Sequence, residues 1–459
     1  MIINKKQIYM FISLLIFIVI LIPNNISCNA HSILQMVSFW FIGIFSIIMI
    51  SNETKKNVFT CTIFHWLFCL FFFFVAPYIQ FSMNEWTLLY KPTEQAIIKT
   101  NFVIIIWMLC FFIGSRIYSK KNDKNNFKFD CKEEHVIQKK ILLVFNAISF
   151  ILVLYMISRV GLVTIISSRS GGESAFNGAF TSISSLMTYC VRNIITFTAL
   201  LNAYRYKKKK DNIIMMIFSF VLLLIGCSPI GMPRYQVATI YIALLLILFP
   251  NLKKKGVFIL LFIFAFMILF PVLDSFRYSV FDISNVQMIF KTTLSNLQNQ
   301  YLTANYDAYV MIMKSFDFVS NNSLQYGRQL LGAFLFFVPR NMWFNKPVST
   351  GTMIQNSFGF YRDAANVSSS LISEAYIDFG FIGIVIYAIL FGIICKKIDS
   401  KILEYSNSNK IDGLILLLMP TLIFFLCRGP LLSVWGFVSS FIVIGKIMFY
   451  IAKKVKLKW

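Results

Sequence analysis

Four arginines stand where apolar runs stop: Arg234 in IGMPR, Arg277 in PVLDSFR, Arg340 in FFVPR and Arg428 in LCRGP. A guanidinium keeps its charge and grips phosphate oxygens with two parallel N–H donors, so these positions suit recognition of a phosphate or diphosphate. Pairing with Asp or Glu, or snorkelling to headgroups, explains any single one of them equally well. The set is harder to dismiss. Nine of the eleven Arg (Arg159, Arg169, Arg192, Arg234, Arg277, Arg328, Arg340, Arg362 and Arg428) fall apart from the Lys clusters, and residues 274–370 hold seven basic side chains against five Asp. Glu374 and Asp378 lie four apart in SEAYIDFG, which puts both on one face of a helix. A carboxylate beside several Arg could take the proton of a sugar hydroxyl. For Glu374 a structural ion pair is the equal alternative, and for Asp378 a structural role is the reading. Trp343, Phe344, Phe358, Phe360 and Tyr361 suit stacking on sugar faces or anchoring at a membrane interface.

Absences narrow the chemistry. No acid-x-acid triplet offers ligands for a metal and a nucleotide-sugar, so neither metal nor cofactor is expected. There is no Walker loop and no GxGxxG after a strand. His is confined to His31, His65 and His135; His65 and His135 read as structural. The nine Cys show no CxxC pair, and most lie inside apolar runs. The outer stretch SSRSGGESAFNGAF could contact carbohydrate, though a flexible connection explains it as well.

The elements that must position these residues are apolar helices. The chain has 459 residues, 58% of them hydrophobic and only 14% charged, where a soluble protein carries about a quarter charged. Twelve apolar runs predict an all-α polytopic membrane protein, with spans near 8–23, 33–50, 58–81, 96–117, 141–158, 183–204, 213–228, 235–250, 256–273, 371–395, 411–427 and 431–452. The first follows Lys5 and Lys6 and reads as an anchor rather than a cleaved signal. Lys-rich clusters alternate along the connections, at Lys5-Lys6, Lys55-Lys56, 116–140, Arg205 with Lys207–Lys210, Lys253–Lys255, Lys396-Lys397 and the C-terminal tail. That alternation predicts both termini in the cytoplasm. The net charge of +24 therefore points to a membrane surface and not to nucleic acid. Three blocks follow: spans one to nine in 1–273, one long outer segment in 274–370, and spans ten to twelve in 371–459. Within the long segment, 301–316 is expected to be helical and 330–338 to dip back into the membrane.

The run GRQLLGAFLFFVPRNMWFNKPVSTG, followed by SSSLISEAYIDFGFIGIVIYAILFG, resembles the O-antigen or oligosaccharide repeat-unit polymerase (Wzy) family. The matching positions are Pro339-Arg340, Trp343, Lys346-Pro347, Glu374 and Phe379-Gly380 with Gly383; IGMPRYQ and DSFRY are less distinctive. The resemblance is sequence-specific over about 327–392. It implies a GT-C-like architecture and a metal-independent glycosyl transfer on the periplasmic face of the bacterial inner membrane. Undecaprenyl-diphosphate-linked oligosaccharide is the implied donor and acceptor, membrane lipids surround the site, and a chain-length regulator and a flippase are implied partners. Carried onto this sequence, Arg340, Arg277 and Glu374 become candidate catalytic residues. Arg234, Arg328, Trp343, Lys346, Arg362 and Arg428 become candidate substrate contacts.

Two rival functions are weighed against this one. O-antigen ligases depend on a His in the large outer loop, and residues 274–370 contain none. A lipid-linked oligosaccharide flippase has short loops throughout, which a long outer segment does not fit.

Overall fold

A computed structural model of the chain describes residues 33–54, 58–122, 137–162, 165, 182–209, 213–229, 232–254, 257–266, 298–359, 367–408 and 413–454. Among these every regular element is helical: α1 Ile33–Glu53, α2 Cys61–Met83, α3 Glu94–Asn122, α4 Lys139–Val160, α5 Ser182–Lys209, α6 Ile213–Gly226, α7 Arg234–Leu248, α8 Val257–Phe264, α9 Ala308–Asn321, α10 Arg328–Phe334, α11 Thr350–Phe358, α12 Leu371–Ser408, α13 Gly413–Leu416, α14 Met419–Arg428 and α15 Leu431–Lys454.

Six of them are long and apolar enough to cross a membrane: Ile33–Glu53, Cys61–Met83, Glu94–Tyr118, Lys139–Arg159, Leu371–Glu404 and Leu431–Lys454. Others fall short for different reasons. The 14 residues of α6 reach about 21 Å at 1.5 Å per residue, less than the ~30 Å hydrocarbon core. α5 is long, but Arg192, Asn193, Thr196, Thr198 and Asn202 make it more polar. The expected first span at 8–23 lies outside the described residues, and the ninth is described only as far as residue 266.

The chain divides into two compact units. Unit 1 comprises residues 1–128, 296–400 and 423–435; unit 2 comprises 129–295, 401–422 and 436–459. In unit 1, α2 is buried from Cys61 to Gln80. Its middle, Cys69–Val75, winds as a π-helix, an irregularity often kept where geometry matters. His65 is enclosed there, accepting from Trp107 Nε1 at 3.1 Å and stacking on Phe111 at 3.5 Å. α3 and α12 cross closely: a Cβ on Gly114 would fall 2.2 Å from the Ile389 carbonyl, and one on Gly392 would fall 2.3 Å from that of Phe111. Small residues at such a crossing let two backbones touch where no hydrophobic effect drives them together.

Polar bonds tie the two ends of unit 1. At one end Lys396 Nζ donates to Glu53 at 2.7 Å, and Asp399 accepts from the N–H groups of Cys61 and Thr62 at 2.6 and 3.1 Å. At the other, Gln80 Nε2 donates to the Tyr301 carbonyl at 2.8 Å, and the Tyr309 hydroxyl donates to Asn101 at 2.8 Å. The described part of the long outer segment is no loose loop. Two 3-10 turns at Gln298–Leu302 and Ala304–Tyr306 precede α9, whose first six residues are buried, so the helix begins later than residue 301. Unit 2 gathers α5 against α4, α6 and α7. Asn146 and Asn202 exchange amide hydrogen bonds at 3.4 and 3.2 Å, and Asn193 donates to Ser440 at 2.9 Å.

Candidate functional site

The site is built around a reversal in α12. At Gly380 the backbone has φ +63° and ψ −148°, a conformation that only glycine adopts without strain. Three residues on, a Cβ at Gly383 would stand 2.2 Å from the Ala375 carbonyl, so the limb Leu371–Phe379 folds back tightly on the helix it precedes. The FG-x-x-G spacing thus has a mechanical meaning: one glycine turns the chain and the other lets it close.

The short limb carries Glu374 and Asp378, and each meets the beginning of another helix, where free N–H groups favour a carboxylate. Asp378 accepts from Gln329 and Leu330 N–H at 3.1 and 2.9 Å, holding the first turn of α10. This is the structural role read from the sequence. Glu374 accepts from Leu431 N–H, which opens α15, at 3.0 Å, and from the Thr350 hydroxyl, which opens α11, at 2.6 Å. Its side chain is buried, with both oxygens engaged.

Beside this brace lies the Arg428–Asp307 pair. Arg428 Nη2 lies 3.4 Å from Asp307 Oδ1 and donates to the Ala304 carbonyl at 3.1 Å. The other Asp307 oxygen accepts from Ser368 N–H at 3.0 Å, and Ser369 N–H donates to the Arg428 carbonyl at 3.2 Å. The Asp307 side chain is fully buried while that of Arg428 is 25% exposed. Arg428 Nε is buried and has no hydrogen-bond partner among the described residues. Burial pushes the Asp307 carboxyl above the usual carboxylate range, and the Arg428 charge and the Ser368 bond pull it back. The ring of Phe72, in the π-helical stretch of α2, lies 5.9 Å from the guanidinium.

Three more of the sequence-marked cations gather at the arm that follows α10, with Arg340 and Lys346 within it and Arg328 reaching it from the first position of α10. Arg340 donates to the carbonyls of Lys346 and Pro347 at 2.9 and 3.2 Å, Lys346 Nζ to those of Phe336 and Val338 at 2.6 and 2.8 Å, and Arg328 to that of Asn345 at 2.6 Å. Burial and the nearby Arg340 charge hold the Lys346 ammonium below the usual lysine range. Trp343 is half-buried in the same arm.

Unit 1 therefore holds seven residues singled out in the sequence or found beside them in two groups: Glu374 and Arg428 with Asp307, and Arg328, Arg340, Trp343 and Lys346 along the arm. Arg234 is the first residue of α7, in unit 2, and its side chain is not described. Arg277 and Arg362 lie outside the described residues. In the sequence Asp307 is one of the candidate acids of the outer segment with no partner assigned, and Thr350 and Ser368 carry no role. Asp307 stands 121 positions from its arginine, and no motif marks it.

Six membrane-length helices, a polar cluster at the helix ends and cations kept beside it fit a multi-pass membrane protein. The family model for O-antigen polysaccharide polymerase Wzy matches residues 6–458, nearly the whole chain, and the chain belongs to that family. No curated protein and no solved structure gives a match.

Proposed function

We propose that the chain joins oligosaccharide repeat units carried on undecaprenyl diphosphate, on the periplasmic face of the inner membrane, and releases undecaprenyl diphosphate. A hydroxyl oxygen of the incoming repeat unit attacks the anomeric carbon at the reducing end of the growing chain. The new C–O bond forms, the bond from that carbon to the diphosphate oxygen breaks, and the hydroxyl proton leaves to a base. The carrying observation is Arg428: a guanidinium oriented by a buried carboxylate, partly open to solvent, with a buried Nε that no described residue satisfies. A buried donor left unpaired costs about 1–3 kcal/mol, and a diphosphate oxygen would satisfy it. Preorganised cations of this kind offset the charge that builds on a leaving group.

Arg340, Lys346 and Arg328 add positive charge along the arm, and in this reading Arg277 and Arg362 join them. Arg234 is assigned a further substrate contact. Trp343 supplies a stacking face. Glu374 is the candidate base, a role that requires it to release Thr350. The sidedness rests on the charge pattern, together with the meeting of Lys396 with Glu53 and of Cys61 with Asp399 at one end, and of Gln80 with Tyr301 and of Tyr309 with Asn101 at the other.

The test is reconstitution of the purified protein with lipid-diphosphate-linked repeat units, with products separated by size. A ladder of extended chains with released lipid diphosphate supports the proposal. Movement of the substrate between leaflets without extension would favour the flippase reading and contradict it.

A further inference from the structure

The arm between α10 and α11 has an unusual division of labour. Its backbone is irregular, yet many of its carbonyls are capped. Turns close it internally, with Val338 N–H donating to Leu335, Met342 and Trp343 N–H both donating to Pro339, and Lys346 N–H donating to Trp343, all at 3.0–3.1 Å. Three cations take five more carbonyls, at Phe336, Val338, Asn345, Lys346 and Pro347, with Arg328 and Arg340 doing so at the surface. The arm turns four large apolar side chains outward, with Phe334 55% exposed, Phe337 61%, Met342 79% and Phe344 85%, and Arg340, Asn341 and Asn345 are exposed among them. Capped carbonyls suit a partly apolar setting, where an unpaired backbone carbonyl costs several kcal/mol, and exposed guanidinium beside exposed aromatics suits the boundary of that setting with headgroups.

The arm is also fixed to helices of its own unit. A Cβ on Gly332 would fall 2.4 Å from Pro347 and 3.1 Å from Leu432, the Phe334 ring lies 5.9 Å from that of Trp435, and Asp378 holds the start of α10. It therefore sits beside the opening turns of α15, a membrane-length helix, with bulky aromatics outward, the Arg340 guanidinium exposed among them and the Lys346 ammonium half-buried. Cations at that depth complement phospholipid phosphates, and aromatics complement the boundary between headgroups and acyl chains.

We propose that residues 334–347 form a membrane-docking arm, its Phe337, Met342 and Phe344 side chains seated in the phospholipid headgroup–acyl boundary beside α15. The arm inserts to about 5–10 Å, as interfacial segments do. Its backbone is made fit for that depth by Arg328, Arg340 and Lys346. This docking depends only on the membrane setting, and a failure of the glycosyl-transfer reading leaves it standing.

The test places a nitroxide label at Phe337→Cys and, separately, at Phe344→Cys, in the full chain with native Cys replaced. The protein is reconstituted in phosphatidylethanolamine–phosphatidylglycerol vesicles, with Ser357→Cys, at an exposed position near the end of α11, as the aqueous reference. Collisions with oxygen and with a water-soluble nickel chelate are then compared. Both arm labels are expected to meet oxygen freely and the chelate several-fold less often than the label at Ser357. Chelate access equal to that at Ser357 would put the arm in water and overturn the proposal. Exclusion of both reagents would mean that protein, a second copy or a partner, covers the arm, and would overturn it equally. Both substituted side chains are more than half exposed, so loss of folding is not expected; an unchanged size-exclusion profile checks this.

Discussion

Arg428 and Asp307 concentrate the chemistry into one pair whose members can be separated by substitution. Asp307→Asn keeps an oxygen for the Ser368 N–H but removes the charge that orients the guanidinium. Hydrogen bonds to charged groups are worth about 1.5–3 kcal/mol, so extension should slow roughly tenfold to a hundredfold. The check is the rate of ladder formation with the reconstituted protein. A rate loss without weaker substrate binding would mark orientation in the transition state. Arg428→Lys keeps the charge and loses the fork, and should lose most extension while the protein stays inserted. Arg428→Ala is the poorer probe, because an unpaired buried carboxylate itself destabilises by about 3–5 kcal/mol. Glu374→Gln separates two roles. As a brace, the amide loses one acceptor and lowers stability by about 1–3 kcal/mol, read as an earlier melting transition with turnover retained in the surviving protein. As the base, it abolishes turnover at unchanged stability.

At the scale of elements, the reversal at Gly380 determines whether Glu374 and Asp378 reach the helices they hold. Gly380→Ala forces a side chain into a backbone conformation that costs about 1–3 kcal/mol, and Gly383→Ala drives a methyl into the Ala375 carbonyl. Each should shorten or abolish polymer while lowering the amount of folded protein, measured as chain-length distribution against membrane level. Wild-type stability of Gly383→Ala would show that the close approach is not required. Much of this scale was legible in the residues. Apolar runs gave helix positions such as 33–50 against Ile33–Glu53 and 431–452 against Leu431–Lys454, because helix periodicity and length are local properties. Glu374 and Asp378 on one short limb followed from their spacing of four. The π-helical turn in α2 was not legible, since CLFFFFV is apolar in any winding and only its packing against α1 and Tyr306 distinguishes it. Nor was the pairing of Arg428 with Asp307, which depends on two distant segments meeting in the fold. The sequence offered the arm's cations as substrate contacts; that Arg328, Arg340 and Lys346 also donate to the arm's own backbone carbonyls was not legible in it.

For the whole molecule, the family and the helical build make this an O-antigen polymerase-type membrane protein, and the reaction proposed for it has consequences in a cell. Loss of a polymerase leaves each carrier lipid able to deliver only one repeat unit to the surface. Loss of a ligase strands polymer on its carrier and leaves the lipid core bare, and loss of a flippase leaves the core bare with no polymer at all. The most direct test is therefore the surface polysaccharide of a strain lacking this chain, resolved by size and complemented with the intact gene and with Asp307→Asn. The account predicts single repeat units on the lipid core in the deletion strain, full-length polymer on complementation, and shortened polymer with the variant. Bare core in the deletion strain, with or without polymer on the carrier, would contradict it.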